Sequence, residues 1–163
     1  MKGANILNYT AFKDFTKNGL GKINGVILQD QITKKEFKVK TRCVVNCTGI
    51  HSDIIRQIDE PSAEPLIIAS EGTHIILPQE YVSKNHGLIL PGTEDGRVIF
   101  VLPYQGKALV GTTDNIYPEI TNNPKTDPNA LLFLCKELRK IYPLRTEEEI
   151  RKKIISYWTG IFT

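Results

Sequence analysis

The sequence predicts a mixed fold, α+β with a piece of α/β character: a β-meander, a parallel-type strand leading into a helix, then a mainly antiparallel sheet with helices. Three observations predict it. Short apolar runs rich in β-formers recur along the chain, separated by Gly, Pro, Asn and Asp. One run, "RCVVNCTGIHSD" at residues 42–53, stops on Thr48-Gly49 and restarts with helical spacing. One long amphipathic stretch follows Asp127-Pro128, the start signal of a helix.

Taken in order, "ANILNYTAF" (4–12) reads as a strand, "KNGLGK" (17–22) as a turn and "INGVILQD" (23–30) as a second strand. A polar turn at Thr33 to Lys35 leads to a short alternating strand from Phe37 to Lys40. "RCVVN" is too short and too β-branched for a buried helix and reads as a strand. Ile54, Ile55 and Ile58 then fall at helical spacing, with Ser52 or Asp53 as N-cap. The Pro-bearing polar stretch "DEPSAEP" (59–65) marks a boundary. Beyond it, "LIIAS", "THIILP", "GLILP", "RVIFVLP" and "KALVGTT" read as strands, the last two forming a hairpin about Gln105-Gly106. Asp127 caps the long helix, Pro128 opens it, and Leu131, Leu132, Leu134, Cys135, Leu138 and Ile141 form its stripe before Pro143. "IISYWTGIFT" adds a final strand.

The totals narrow the function classes. At 163 residues, 40% hydrophobic and 24% charged, the chain has the make-up of a soluble globular protein of one domain or slightly more. A net charge of +3, from 21 basic and 18 acidic residues interspersed, gives no electrostatic case for nucleic acid. Cys43, Cys47 and Cys135 form no CxxC pair and read as buried reduced thiols; His51, His74 and His86 carry no HxxxH spacing, so no metal site is expected. No apolar run approaches the roughly 18 residues that span a bilayer. A start that is strand-like almost at once, and an end on apolar "GIFT", lead us to expect an internal piece of a longer polypeptide.

Four places can carry chemistry. Thr48-Gly49, at a strand end before a helix, is either an ordinary turn or a point where phosphate passes close to the backbone. His74, in "SEGTHIILP" beside Ser70 and Thr73, is either a general base or a histidine satisfied by its surroundings. Thr112, Thr113 and Asp114, in "GTTD", face a ligand or form an Asx/ST turn. Arg97 opens a strand, either solvated or clamping a phosphate. No GxGxxG occurs in the chain.

Together the segments "GANILNY", "VVNCTGIHSD", "SEGTHIILP", "DGRVIFVLP", "GTTD" and "WTGI" resemble, in order and spacing, the middle of FAD-dependent glycerol-3-phosphate dehydrogenases, the quinone-linked enzymes of mitochondria and bacteria. The resemblance runs from about Gly3 to Ile161. It implies that residues 1–63 are the later part of a split, Rossmann-like FAD-binding domain, with the glycine-rich fingerprint before Met1. Residues 64–163 are then part of a substrate-binding domain whose antiparallel sheet covers the isoalloxazine. By the same resemblance His74 is the active-site histidine, Thr48 and Gly49 lie against FAD, and Arg97, Thr112, Thr113 and Asp114 are candidates for binding substrate. The chemistry implied is proton removal by a base at C2 as hydride passes to the flavin. Glycerol 3-phosphate becomes dihydroxyacetone phosphate, and electrons leave to quinone.

The resemblance also implies peripheral attachment to the inner mitochondrial membrane or a bacterial membrane. Departures from the family pattern are Cys47 for alanine, Ile50 for proline and Tyr104 for tryptophan. Phe162-Thr163 follows Ile161 where the family's "WSGIRPL" continues with an arginine. Lacking that arginine and the fingerprint, the chain by itself is expected to bind FAD poorly and to be inactive. The alternatives left open are a non-catalytic β-rich binding module and another amine- or hydroxy-acid-oxidising flavoprotein of the same fold.

Overall fold

The computed structural model describes residues 3–163 and divides the chain into two compact units, Met1–Leu66 and Ile67–Thr163. In the first unit β1 (Thr10–Lys17), β2 (Ile23–Asp30) and β3 (Glu36–Lys40) form an antiparallel meander in that order. Side-chain acceptors set both turns. Asn18 Oδ1 accepts from the Leu20 and Lys22 N–H groups, and Asp30 Oδ1 accepts from Ile32. Helix α1 (Ser52–Asp59) is tied to β1 by Lys17, whose Nζ lies 2.7 Å from Asp59 Oδ1.

This unit departs from expectation in four ways. Residues 4–8 stay outside the meander, because β2 offers partners only from Thr10 onward. "RCVVN" forms no strand, and Val45 is 78% exposed. A strand of that kind is buried on both faces and needs neighbours in register, and none pairs with it among the described residues. The N-cap position of α1 falls to His51 with no side-chain cap bond, while Asp53 accepts from Leu66 N–H at 2.8 Å and pairs with Arg56 at 2.5 Å. Cys43 and Cys47, expected buried, are exposed, because the unpaired segment carrying them is itself exposed; Cys135 is buried.

In the second unit β4 (Ser70–Pro78) is the spine. One of its edges pairs with β7 (Lys107–Gly111) from His74 to Pro78, and with β8 (Asn115–Ile116) at Ser70 and Glu71. The other pairs with β9 (Ser156–Phe162) from Ser70 to Ile76. β6 (Ile99–Tyr104) and β5 (Leu88–Leu90) continue the sheet beyond β7, and every pairing is antiparallel. Of "LIIAS", only Ser70 joins a strand.

The period-two alternation of the strands buries one face. Ile75, Leu77, Ile99, Val101, Ala108 and Val110 pack there against Leu134, Cys135 and Leu138 of α2 (Pro128–Ile141) and Ile150 of α3 (Glu147–Lys152). Full burial of each large side chain contributes about 1.5–3 kcal/mol. Asp127 caps α2 by accepting from Asn129 N–H at 2.9 Å, with Pro128 in its first turn. Leu132, expected in the stripe, is 46% exposed, and Glu137 is buried in its place, its carboxylate held by Lys140 at 2.7 Å and by Glu94 N–H at 3.2 Å. Burial pushes the Cys135 thiol up to about 11, so it stays protonated. Helix α3 starts with a capping box, Thr146 and Glu149 each bonding the other's backbone N–H.

Candidate active site

Alternation along β4 sends Thr73, Ile75 and Leu77 into the core and His74 to the opposite, open face of the sheet. His74 is the centre of a three-strand row: Gly111 of β7 pairs with it on one side and Trp158 of β9 on the other. The imidazole and the indole stack with centroids 5.4 Å apart and planes 9° from parallel. On the other side the ring lies over the Gly111 backbone. A Cβ there would sit 2.8 Å from His74 Cγ and 2.9 Å from Nε2, so only glycine fits. His74 Nδ1 is buried and has no hydrogen-bond partner. Packing between an aromatic ring and bare backbone therefore orients the imidazole, rather than a carboxylate or a carbonyl. Desolvation alone holds its pKa below the ordinary histidine value, so the ring is neutral near pH 7.

Beside this row lies the "GTTD" segment. Thr112 Oγ1 sits over Gly72, two residues before His74, and donates to Thr113 O at 2.9 Å. Thr113 turns inward, its Oγ1 accepting from Thr73 N–H at 2.9 Å, which fixes the strand just before His74. Thr73 Oγ1 in turn meets Thr159 Oγ1 at 2.8 Å, and Thr159 donates to Thr126. Asp114 is exposed.

The structure thus brings Thr112 onto the His74 face and sets Thr113 beneath it as a strand clasp. Arg97 stands apart. Its guanidinium pairs with Asp95 at 2.5 Å, donates to Asn115 Oδ1 at 3.2 Å and lies 5.7 Å over the Phe133 ring of α2. That is the helix side of the sheet, where a cleft of about 530 Å³ is lined by Arg97, Glu71, Asn115 and Phe133 among others. Arg97, read in the sequence as either solvated or clamping a phosphate and carried as a candidate for binding substrate, lies on the face of the sheet opposite His74, where its partners draw it toward α2. Ser70, Thr73 and His74 do not cluster as one group either, since Thr73 points away from His74.

In the first unit Thr48 and Gly49 hold a turn. Asn46 Oδ1 accepts from Thr48 Oγ1 at 2.8 Å, and Asn46 Nδ2 donates to Ser52 O at 2.9 Å. Gly49 has φ +54°, a left-handed conformation that favours glycine, and a Cβ on it would meet nothing within 4 Å. The backbone there is open to approach. Among the described residues no group of three or more His, Cys, Asp or Glu is placed to hold a metal, and no helix is long and apolar enough to cross a membrane.

The sequence reading missed Trp158 and Gly111 as members of the site. Their signal is cross-strand register, which exists only once β4, β7 and β9 are paired.

A profile of FAD dependent oxidoreductases matches residues 1–163, the length of the chain. The chain belongs to the FAD-dependent oxidoreductase family. FAD is the cofactor of that family, and the chain is similar to several proteins named glycerol-3-phosphate dehydrogenase. Over 167 residues the chain is 37% identical to the probable mitochondrial glycerol-3-phosphate dehydrogenase of Dictyostelium discoideum, covering 98% of this chain and 26% of that protein. Over 170 residues it is 36% identical to the mitochondrial glycerol-3-phosphate dehydrogenase of Schizosaccharomyces pombe, covering 98% of this chain and 25% of that protein. The solved structure of a glycerol-3-phosphate dehydrogenase from Bacillus halodurans, complexed with FAD, superposes with a TM-score of 0.81 at 25% identity, over 96% of this chain and 31% of that one. The chain therefore spans about a quarter of the length of the curated relatives it matches.

Proposed function

We propose that this chain is part of a longer flavoprotein that oxidises sn-glycerol 3-phosphate to dihydroxyacetone phosphate, the electrons passing by way of FAD to a quinone. The observation that carries it is the Gly111–His74–Trp158 row. It is a neutral, desolvated histidine on the open face of a sheet whose other face is sealed by helices, in a chain whose relatives bear this activity in their names. In this reading residues 1–63 belong to the FAD-binding domain and residues 64–163 to the substrate-binding domain.

The residues present fit a flavin on two counts. Gly49 leaves its backbone uncovered, as close approach of a ribose or diphosphate requires, with Thr48 beside it. The His74 face carries part-exposed Phe100, Leu102, Trp158 and Phe162, a surface suited to a flat apolar ring system. When bound, FAD supplies the acceptor for the hydride that leaves C2 of the substrate.

The chain's own residues do the rest. His74, neutral near pH 7, takes the proton from the C2 hydroxyl as the carbonyl forms. Trp158 and Gly111 fix the plane of its ring, so the accepting nitrogen is aimed before substrate arrives. Thr112 offers a hydroxyl on the same face, and Thr113 holds the strand in register from behind. Asp114 is exposed at the end of the same segment and is a candidate to meet the substrate's hydroxyl groups. In this reading the longer protein sits peripherally on the mitochondrial inner membrane or on a bacterial membrane; the relatives' names support the mitochondrial part of that location.

The test is His74→Asn in the longer polypeptide that carries this segment. Turnover of glycerol 3-phosphate should fall at least about a hundredfold, the usual contribution of a positioned acid–base group. A fall of less than about threefold would remove His74 from the mechanism.

A further inference from the structure

β9 is an edge strand. It pairs with β4 along one side, and among the described residues no strand pairs with its other side. A backbone ladder sets which residues lie opposite one another, but it leaves an edge strand free to pivot about that line of hydrogen bonds. Trp158 and Thr159 project from opposite faces of β9. Any pivot that lifts the indole away from His74 therefore also swings Thr159, on the far face. Whatever holds Thr159 holds the His74–Trp158 stack.

Two neighbouring hydroxyls hold it. Thr159 Oγ1 donates to Thr126 Oγ1 at 2.8 Å and meets Thr73 Oγ1 at 2.8 Å. A hydroxyl has one proton to give. Thr159 gives its proton to Thr126, so Thr73 is the donor to Thr159. The chain thus runs one way, from Thr73 through Thr159 to Thr126, and bonds in such a chain strengthen one another. Among the described residues β9 makes no other side-chain hydrogen bond.

Both ends of the chain are anchored. The Thr73 N–H donates to Thr113 Oγ1 at 2.9 Å. Thr126 directly precedes Asp127, whose carboxylate caps α2, and Leu134 and Leu138 of that helix lie in the core. Thr73 points to the side of β4 away from His74, so the tie works from behind the sheet and touches neither ring.

We propose that Thr126 is a positioning residue: through the Thr159 hydroxyl it keeps Trp158 stacked on His74 and so sets the plane of the imidazole. That this plane serves catalysis rests on the reading of His74 above; the positioning itself does not.

The ring current of an indole shifts the protons of an imidazole stacked on it upfield, so proton NMR of the chain reports on the stack. The chain has three histidines, and His74→Asn identifies the His74 signals by their loss. Thr126→Val removes the acceptor and keeps the branched shape. At constant pH, the His74 signals should lose most of their upfield displacement in Thr126→Val and regain it in Thr126→Ser. Thr121→Val is the control. Thr121 Oγ1 accepts from Asn123 N–H at 3.2 Å in the same connection and makes no bond to β9, so its loss should leave the His74 signals in place.

Wild-type His74 signals without an upfield displacement would overturn the proposal, as would unmoved signals in a folded Thr126→Val. An equal movement in Thr121→Val would overturn it too, by making the effect one of loop stability, and so would a failure of Thr126→Ser to restore the signals. Should Thr126→Val fail to fold, the same spectra of Thr126→Ala decide. No turnover enters these readouts, so a failed catalytic role for His74 and a failed positioning role for Thr126 give different outcomes.

Discussion

His74 and Gly111 face each other across β4 and β7 so closely that a methyl group on the glycine would lie 2.8 Å from the imidazole Cγ. The absence of a side chain at 111 is a condition for the histidine's position. Gly111→Ala should therefore force the ring off its present rotamer and away from Trp158, at a cost of about 1–3 kcal/mol. Urea denaturation with near-ultraviolet circular dichroism of Trp158 measures both effects. Wild-type stability with an unchanged tryptophan signal would show that the ring has somewhere else to go.

The pH dependence of stability carries a second prediction. Desolvation lowers the folded-state pKa of His74, while the unfolded chain titrates near the ordinary value of about 6.5. The unfolded state then binds the proton first. The contribution of the neutral ring is complete above about pH 6.5 and is lost as pH falls through the lower, folded value. Urea melts at pH 7.5 and pH 5 should show a loss for the wild type that is reduced in His74→Asn. An identical loss in both proteins would assign the acid sensitivity to other groups.

Arg97 offers a third. Its guanidinium is engaged by Asp95, Asn115 and Phe133 on the helix side of the sheet. Arg97→Ala should cost about 1–2 kcal/mol of stability through lost packing and pairing. In the longer polypeptide it should leave the KM for glycerol 3-phosphate within about threefold of wild type. A tenfold rise in KM with stability intact would show instead that Arg97 reaches the substrate.

Much of this architecture was legible where local chemistry decides it. Asp127-Pro128 announces α2, Gln105-Gly106 announces the β6–β7 hairpin, and "INGVILQD" reads as β2 to the residue. Thr146 with Glu149 three residues on has the spacing of a capping box and forms one at the start of α3. What failed depends on partners distant in sequence. "RCVVN" has the composition of a buried strand and no neighbour to pair with among the described residues. Leu132 and Glu137 exchange their expected places because Lys140 and the Glu94 backbone satisfy a buried carboxylate, which periodicity cannot register. His74 was nameable from its motif, whereas Trp158 and Gly111 became its neighbours only through strand register.

The pairing of β4 with β9 has a consequence for how this unit assembles. Thr73 and Thr159 meet across 86 residues, whereas β6 and β7 meet across a two-residue turn. Closing so long a loop is entropically costly, and distant pairings form slowly. The hairpin therefore precedes the arrival of β9, and the histidine waits uncovered until the tryptophan docks beside it. The Gly111–His74–Trp158 row is thus the last portion of the unit to be completed, because β9 is the last of its strands to be made.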